Sequence, residues 1–102
     1  MHERDIVKKI REHLISKYGA TCHKHHGGPY SERGVADLFG TFPGGRAYFF
    51  EVKVPGKKAT LWQIKWLEEE HKRGAVTGVV TSVEEVESIL STVSTGLYTN
   101  SK

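Results

Sequence analysis

Glu51 and Lys53 are the pair of residues whose types and spacing most directly suggest chemistry. They interrupt residues 48–54, a run of aromatic and β-branched residues that is typical of a pleated, at least half-buried strand. Successive strand side chains point to opposite faces, so this carboxylate and ammonium share one face with Phe49. The simplest interpretation of an isolated Glu-x-Lys is a surface ion pair on an edge strand, because such pairs are common and individually weak.

A second acidic residue upstream favours a different interpretation. Residues 36–42 predict a partner strand, and Pro43-Gly44-Gly45 between the two runs is typical of a hairpin turn. Asp37 lies near the far end of the partner strand, where pairing with residues around Glu51 is expected. We therefore expect two carboxylates and one ammonium to converge on one small patch.

Such a patch carries surplus negative charge. Two carboxylates about 4 Å apart repel by roughly 4 kcal/mol at an effective dielectric of about 20, and Lys53 offsets only one of the two charges. The remainder is relieved by protonation of one acid or by binding of a hard divalent cation. A carboxylate-bound Mg²⁺ beside a lysine suits phosphodiester hydrolysis. The metal polarises the phosphate and acidifies a water, while the lysine orients that water or stabilises negative charge.

These residues resemble the motif of the PD-(D/E)XK nucleases and, more narrowly, the VRR-NUC (virus-type replication–repair nuclease) family in its compact stand-alone form. Gly34-Val35-Ala36-Asp37, a glycine-containing turn, Glu51-Val52-Lys53 and a later Gln63 carry the resemblance. It runs from Glu3 to about Val86, which is most of the chain. The family commonly has proline before the aspartate, where this sequence has alanine, a change that removes no ligand and no charge.

The resemblance implies a set of functional residues and a cofactor. The implied catalytic residues are Asp37, Glu51, Lys53 and Gln63. The implied metal ligands are Glu3, Asp37, Glu51 and the backbone carbonyl of Val52, with Mg²⁺ as the metal and Mn²⁺ as a substitute. Candidate phosphate contacts are the basic residues Lys24, Arg33, Arg46, Lys57 and Lys58.

Glu3 has two possible roles. Apolar residues at helical spacing predict a first helix over residues 2–18, ended by Gly19. Its inward stripe consists of Ile6, Ile10 and Leu14, with Val7 and Ile15 beside them. Glu3 continues this stripe, but acids also favour the first turn of a helix through the helix dipole. The resemblance favours the first role, since Glu3-x-x-Ile6 matches the helix-borne acid that completes the metal site in VRR-NUC proteins.

Gln63 also has two possible roles. Thr60-x-x-Gln63 has capping-box spacing and predicts a helix that continues to about Arg73, with Gly74 ending it. The amide of Gln63 could satisfy a backbone N–H at the helix start, or it could reach the site and position the water or the lysine. We expect these roles to compete for one side chain, and the resemblance favours the site. The two tryptophans of this helix, Trp62 and Trp66, are expected in the core or an interface.

The remaining patterns complete an α/β fold. Residues 20–26 and 75–81 predict two further strands, and Ser82-x-x-Glu85 starts a short last helix. The order is therefore α-β-β-β-α-β-α, a mixed four-stranded sheet flanked by helices, which the resemblance implies is a restriction-endonuclease-like core. We expect a single VRR-NUC-like nuclease domain over residues 1–92, followed by a loosely ordered tail over residues 93–102.

Three histidines, His23, His25 and His26, raise a second metal hypothesis. His23 and His25 alternate onto one strand face, but no nearby cysteine pair or His-Glu-x-x-His spacing supplies a full zinc ligand set. The interpretation we favour joins these histidines with Lys24 and Arg33 in a basic wall facing phosphates. A solvated loop is the alternative.

Composition sets the broad class. The chain has 102 residues, 37% of them hydrophobic and 26% charged, which is ordinary for one soluble globular domain. A net charge of +3 and a pI near 9.1 are compatible with nucleic acid. One cysteine rules out an intrachain disulfide, and no signal peptide or long apolar run is visible. We therefore expect a cytoplasmic protein with no membrane partner.

Together these observations predict a Mg²⁺- or Mn²⁺-dependent endodeoxyribonuclease. By analogy with stand-alone VRR-NUC proteins, which resemble Holliday-junction resolvases and often occur in phages, four-way DNA junctions are the leading substrate and a homodimer is the expected assembly. Flap, nicked or duplex DNA are alternative substrates. The rival hypotheses are a catalytically inactive DNA-binding module of the same fold and a histidine-based metal-binding protein.

Overall fold

A computed structural model describes residues 2–26 and 34–93 of the chain. The helices are α1 (Glu3–Tyr18), α2 (Leu61–Lys72) and α3 (Val83–Ser91), and the strands are β1 (His23–Lys24), β2 (Leu38–Thr41), β3 (Ala47–Val52) and β4 (Val76–Val80). Their order confirms the predicted α-β-β-β-α-β-α sequence of elements. The expected tail, apart from Val93, and residues 27–33 after β1 lie outside the described residues.

The four strands form one mixed sheet in the order β1-β2-β3-β4. β1, β2 and β3 pair antiparallel, whereas β3 and β4 run parallel. The predicted hairpin joins β2 to β3. The backbone N–H of Gly45 donates to the carbonyl of Phe42 at 2.9 Å, and the backbone N–H of Phe42 donates to the carbonyl of Arg46 at 2.9 Å. Gly44 and Gly45 have φ angles of 99° and 97°, which only glycine adopts readily.

The two faces of β3 carry the side chains that the alternation predicts. Tyr48, Phe50 and Val52 are fully buried in the core cluster that α1 and α3 share with the sheet. On the other face, Phe49 packs edge-to-face against Trp66 of α2, with ring centroids 5.0 Å apart. Glu51 and Lys53 therefore lie on the α2 face of the sheet.

α1 packs through its predicted stripe, with one exception. Ile6, Ile10 and Leu14 are buried, and so is Val7. Ile15 is 43% exposed, which corrects its placement beside the stripe, because it lies five residues after Ile10 and is rotated well away from the core. The predicted stop is present: Gly19 is left-handed, with φ 67°, and its N–H donates to the carbonyl of Ile15.

Two further features qualify the sequence interpretation. Trp62 is exposed at the surface, whereas Trp66 is half-buried against Phe49. Within residues 2–26 and 34–93, each helix is too short or too polar to cross a lipid bilayer.

Candidate active site

Strand pairing brings Asp37 next to Glu51. The β2–β3 ladder pairs Leu38 with Phe50, so its continuation by one residue sets Asp37 opposite Glu51. The Asp37 Oδ2 atom accepts a hydrogen bond from the backbone N–H of Val52 at 2.9 Å. In a strand, the N–H and C=O of one residue point to the same side, so the Val52 carbonyl also faces the β2 side, where Asp37 lies.

Glu51 is a buried acid with an uneven set of partners. It is only 3% exposed. Its Oε2 atom accepts a hydrogen bond from Gln63 Nε2 at 2.8 Å and lies 3.5 Å from Lys53 Nζ. Its Oε1 atom is also buried, and no donor among the described residues reaches it. A buried carboxylate oxygen without a donor is costly and calls for an explanation, such as an ion.

The electrostatics of the pair follow from this geometry. Burial raises the pKa of Glu51, the neighbouring Asp37 raises it further, and the combined effect brings it to about 8 even though Lys53 opposes it. With both acids ionised, the site holds one more negative charge than Lys53 can offset, and below about pH 8 a proton on Glu51 relieves this excess. Carboxylate oxygens with unmet negative charge are the ligands that hard divalent cations prefer.

Gln63 makes both of the contacts that we expected to compete, one at the helix start and one in the site, where its partner is Glu51. The Oε1 atom of Gln63 accepts a hydrogen bond from the backbone N–H of Thr60 at 2.8 Å, while its Nε2 donates to Glu51. The Thr60 hydroxyl in turn accepts from the Gln63 N–H at 3.2 Å, which completes the capping box. The expectation of competition was wrong because an amide has two ends. A backbone N–H can only donate, so Thr60 fixes the amide oxygen and turns the NH₂ toward the acid.

Gly34 holds the segment that carries Asp37 close to the start of α2. Its φ is +83°, and a Cβ atom at this position would lie 2.6 Å from the backbone oxygen of Trp62. A side chain at this position would meet backbone atoms, which cannot move aside. The glycine therefore permits the close approach that brings Asp37 and Gln63 to the same site.

Glu3 is not brought to the two carboxylates. It is the exposed first residue of α1, and Asp5 takes the capping position by accepting a hydrogen bond from the His2 N–H at 3.2 Å. In the described part of the chain, no three histidine, cysteine, aspartate or glutamate side chains are grouped so that they could hold a metal ion. The role of Glu3 as a third ligand stays a prediction, and the histidines do not converge on a metal site either.

The basic residues lie at different distances from the site. Lys57 and Lys58 are exposed just after the Pro55-Gly56 turn that follows β3, and Lys24 is exposed on β1. Arg46 precedes β3 at the opposite end from Glu51, about 16 Å away by strand rise, and its Nε donates to the carbonyl of Gly74 at 3.1 Å. Arg33 lies outside the described residues.

Sequence reasoning missed three features of the site. It did not identify the buried Glu51 oxygen without a donor, the hydrogen bond by which Thr60 orients Gln63, or the close approach at Gly34. The Thr60-x-x-Gln63 spacing was the available signal for the second feature. The other two depend on packing between α2 and the sheet and leave no sequence pattern.

Comparison with known proteins gives a fold match. No protein-family model matches the sequence, and no curated protein matches it significantly. The chain is similar to a solved structure named "VRR_NUC domain", with 28% sequence identity and a TM-score of 0.72 over 90% of this chain and 97% of the other. A second solved structure, named "VRR_NUC domain protein", shares 18% identity with a TM-score of 0.66 over 89% of this chain and 86% of the other, and this match bears on the fold alone.

Proposed function

Because the chain is a VRR-NUC domain with a restriction-endonuclease-like α/β fold, we propose that it is a divalent-metal-dependent endonuclease that hydrolyses phosphodiester bonds in DNA. A nuclease-type domain and DNA as its substrate follow from the family. The metal dependence, the mode of cleavage and the preferred DNA structure are the proposed part. The single observation that supports it best is that Glu51, which lies beside Asp37, buries an oxygen, Oε1, that no hydrogen-bond donor among the described residues reaches.

The residues present fit a hard divalent cation. Asp37 and the Val52 carbonyl lie on the β2 side of β3, the Glu51 carboxylate neighbours Asp37, and no donor among the described residues reaches Glu51 Oε1. These three residues would hold Mg²⁺ or Mn²⁺. The chemistry that such an ion supplies when bound is polarisation of a phosphate oxygen and acidification of a water.

In the proposed reaction, the Lys53 ammonium is the positively charged side chain beside the two carboxylates. Its ammonium lies 3.5 Å from Glu51 Oε2, and its side chain is mostly buried against the sheet. A cation held this way is oriented before substrate arrives, so little reorganisation is needed during the reaction. Lys53 therefore orients the attacking water or stabilises the negative charge that develops on the phosphate.

Gln63 is a positioning residue. It holds Oε2 of Glu51 while Thr60 holds the other end of the amide. The carboxylate thus presents its other oxygen, Oε1, away from the helix cap. Residues that orient a ligand in this way typically change metal affinity or activity by about 10–100-fold when they are removed.

The proposed substrate is branched DNA, with four-way junctions first, bound by a homodimer. Lys24, Lys57 and Lys58 are exposed and available for phosphate contacts, whereas Arg46 is bonded to Gly74 at the far end of β3. One small protomer offers limited surface for a large branched substrate. Two-fold assembly provides two active sites for opposed strands.

The test incubates the full chain with labelled linear, nicked, flap and four-way DNA in Mg²⁺, Mn²⁺ or EDTA. We expect cleavage that requires metal and falls by about 100-fold or more in Asp37→Ala and Glu51→Gln. Glu12→Gln, an exposed acid on α1, is the matched control and should cleave at the wild-type rate. Cleavage that persists in EDTA or in Asp37→Ala contradicts the proposal. Salt-sensitive DNA binding without any product indicates an inactive binding module instead.

A further inference from the structure

Trp62 is a large aromatic residue that lies at the surface beside the carboxylate pair. It is 57% exposed, and among the residues that the structure describes no other phenylalanine, tyrosine or tryptophan is exposed. It directly precedes Gln63, whose amide donates to Glu51, and its backbone oxygen lies against Gly34. Tryptophan is apolar over most of its surface, so a ring left in water forgoes the free energy that burial would provide. A ring in this position is available to contact what binds at the site.

The helix directs this ring toward the open part of the sheet. At about 3.6 residues per turn, Trp62 and Trp66 share one flank of α2, whereas Ile64 lies on the other flank and faces β4. Trp66 marks the direction of the first flank, since its ring packs on Phe49 of β3. α2 packs on β3 and β4, and among the described elements no helix covers the same face of β1 and β2. Trp62 therefore borders an uncovered face that begins at the carboxylate pair.

Further rings lie across this uncovered face. The ladders set Phe39 of β2 opposite Phe49 of β3, and His23 of β1 opposite Phe39, so the three side chains share one face of the sheet. The His23 and Phe39 rings lie tilted against each other, with centroids 5.4 Å apart. His23 is exposed and Phe39 is half-buried, so ring surface is open to solvent. Two residue rises, about 7 Å, separate Phe49 from Glu51 along β3, which sets this row of rings directly beside the acids.

Positive charge accompanies the rings. Lys57 and Lys58 are exposed in the segment that leads from β3 into α2, and Lys53 lies beside Glu51. Surfaces that bind single-stranded nucleic acid combine basic residues, which contact the backbone, with aromatic rings, on which bases stack. A base inside a duplex offers only its edges, because its neighbours in the stack cover both of its faces. Aromatic rings therefore select nucleotides that are unpaired or have left the stack.

We infer that Trp62 stacks on an unpaired base of the DNA substrate, and that the strand carrying this base crosses the open face of β1 and β2 next to the carboxylates. The inference rests on the proposed function and deepens it by assigning the substrate class, which is DNA with unpaired nucleotides beside the scissile phosphate. A fully paired branch meets this requirement only when its central base pairs open. Every base has a face on which a ring can stack, so the contact selects DNA structure and not sequence.

Tryptophan fluorescence of the full chain tests the contact in EDTA, where the proposed reaction stops. The DNA probes are two four-way junctions with identical arms, one fully paired and one with unpaired thymidines at the branch, at a single salt concentration. The chain has two tryptophans, so Trp66→Phe leaves Trp62 as the reporter. Its emission should fall when the junction with unpaired thymidines is added and change less with the fully paired one. In Trp62→Phe the half-buried Trp66 is the reporter, and its emission should change less with both junctions.

The affinities of the same two junctions give a second measurement. The wild type should bind the junction with unpaired thymidines about tenfold more tightly than the fully paired one. Trp62→Ala should remove this preference by weakening the tighter complex about tenfold, and Trp62→Phe, which keeps a ring, should retain most of it. Ile15→Ala removes an exposed apolar side chain from α1, far from the rings, and should bind both junctions like the wild type.

Three results would each overturn the inference: Trp62 emission that responds equally to the two junctions or to neither, equal wild-type affinity for both, or a preference that survives in Trp62→Ala. These readouts need no cleavage, so they separate the inference from the proposed function. Stacking on unpaired bases by a protein that yields no metal-dependent product contradicts only the nuclease proposal. Metal-dependent cleavage by a protein that fails the fluorescence and affinity measurements contradicts only the stacking role of Trp62.

Discussion

Two glutamates of this chain are held in opposite ways. Glu87 of α3 accepts hydrogen bonds from His13 Nε2 at 2.9 Å, Lys17 Nζ at 2.5 Å and Tyr18 Oη at 2.6 Å. Partial burial by itself raises its pKa, but these donors outweigh burial and hold the pKa at about 2. Burial and Asp37 instead raise the pKa of Glu51 to about 8.

The difference separates an acid that stabilises the fold from one that is suited to binding an ion. Both oxygens of Glu87 are engaged by donors from α1, so the carboxylate ties α3 to α1. Among the described residues, donors reach only one oxygen of Glu51, and the neighbouring Asp37 repels its charge. A carboxylate whose two oxygens both accept hydrogen bonds gains little stability from a bound cation. A carboxylate with an oxygen that lacks a donor gains more. Four predictions test this comparison, from the largest expected effect to the smallest.

The first prediction concerns the pH dependence of stability in EDTA. The folded state raises the pKa of Glu51 from 4.5 to about 8, so the folded protein binds a proton that the unfolded chain releases. The contribution of Glu51 to the free energy of unfolding should therefore fall as the pH rises from 4.5 to 8, by up to about 5 kcal/mol. Denaturant titrations at several pH values should show this slope in the wild type and a flatter one in Glu51→Gln. Equal slopes in the two proteins would contradict it, and Glu12→Gln is the control.

The second prediction concerns metal. A cation that binds the folded state only should raise the free energy of unfolding by about 2.7 kcal/mol at a hundredfold excess over its dissociation constant. Because the ion competes with the proton on Glu51, the stabilisation by Mg²⁺ or Mn²⁺ should be larger at pH 8 than at pH 5.5. Thermal melts with and without metal measure it. The same stabilisation in Asp37→Ala would place the ion elsewhere.

The third prediction concerns Glu87. Its depressed pKa contributes stability that is present above pH 4.5 and is lost as the pH falls through the range from 4.5 to about 2. Since the side chain is 31% exposed, solvent reduces the effect, and Glu87→Gln should lower the free energy of unfolding at pH 7 by about 2 kcal/mol. Metal-dependent cleavage below the melting temperature should be unchanged. A loss of cleavage without a loss of stability would break the distinction between the two acids.

The fourth prediction concerns Thr60, which is hydrogen-bonded to Gln63, the residue that in turn donates to Glu51. Thr60→Ala removes the hydroxyl that accepts from the Gln63 N–H and should cost about 1 kcal/mol of stability. Thr60→Ser keeps the hydroxyl and should retain the wild-type stability. Ser82→Ala, which removes the corresponding cap of α3, is a matched control that should cost similar stability without affecting cleavage.

Much of the fold could be predicted because its signals are local. The inward stripe of α1, the alternation in β3 and the glycine hairpin each fix one element over a few residues, and short connections left few ways to order the strands. The pairing of Asp37 with Glu51 followed from the hairpin register alone. These parts of the site depend on β2 and β3, which are neighbours in sequence.

The remaining features depend on contacts between distant segments. The partners of Glu87 lie about 70 residues away on α1, so no sequence pattern links them. Spacing placed Gln63 at the helix start but gave no information on which end of its amide faces which partner. Arg46 was named among the candidate phosphate contacts, although the six-residue strand β3 places it and Glu51 at opposite ends of that strand.

The hydrogen bonds of Gln63 make the first turn of α2 part of the candidate active site. Helix ends open and close more readily than helix centres, since they have fewer bonds to hold them. Each time the Thr60–Gln63 turn of this helix opens, Glu51 loses its amide donor and is free to rotate. In the proposed metal site, the fraction of time during which Gln63 holds Glu51 in place is thus set by the fraying equilibrium of a single helical turn.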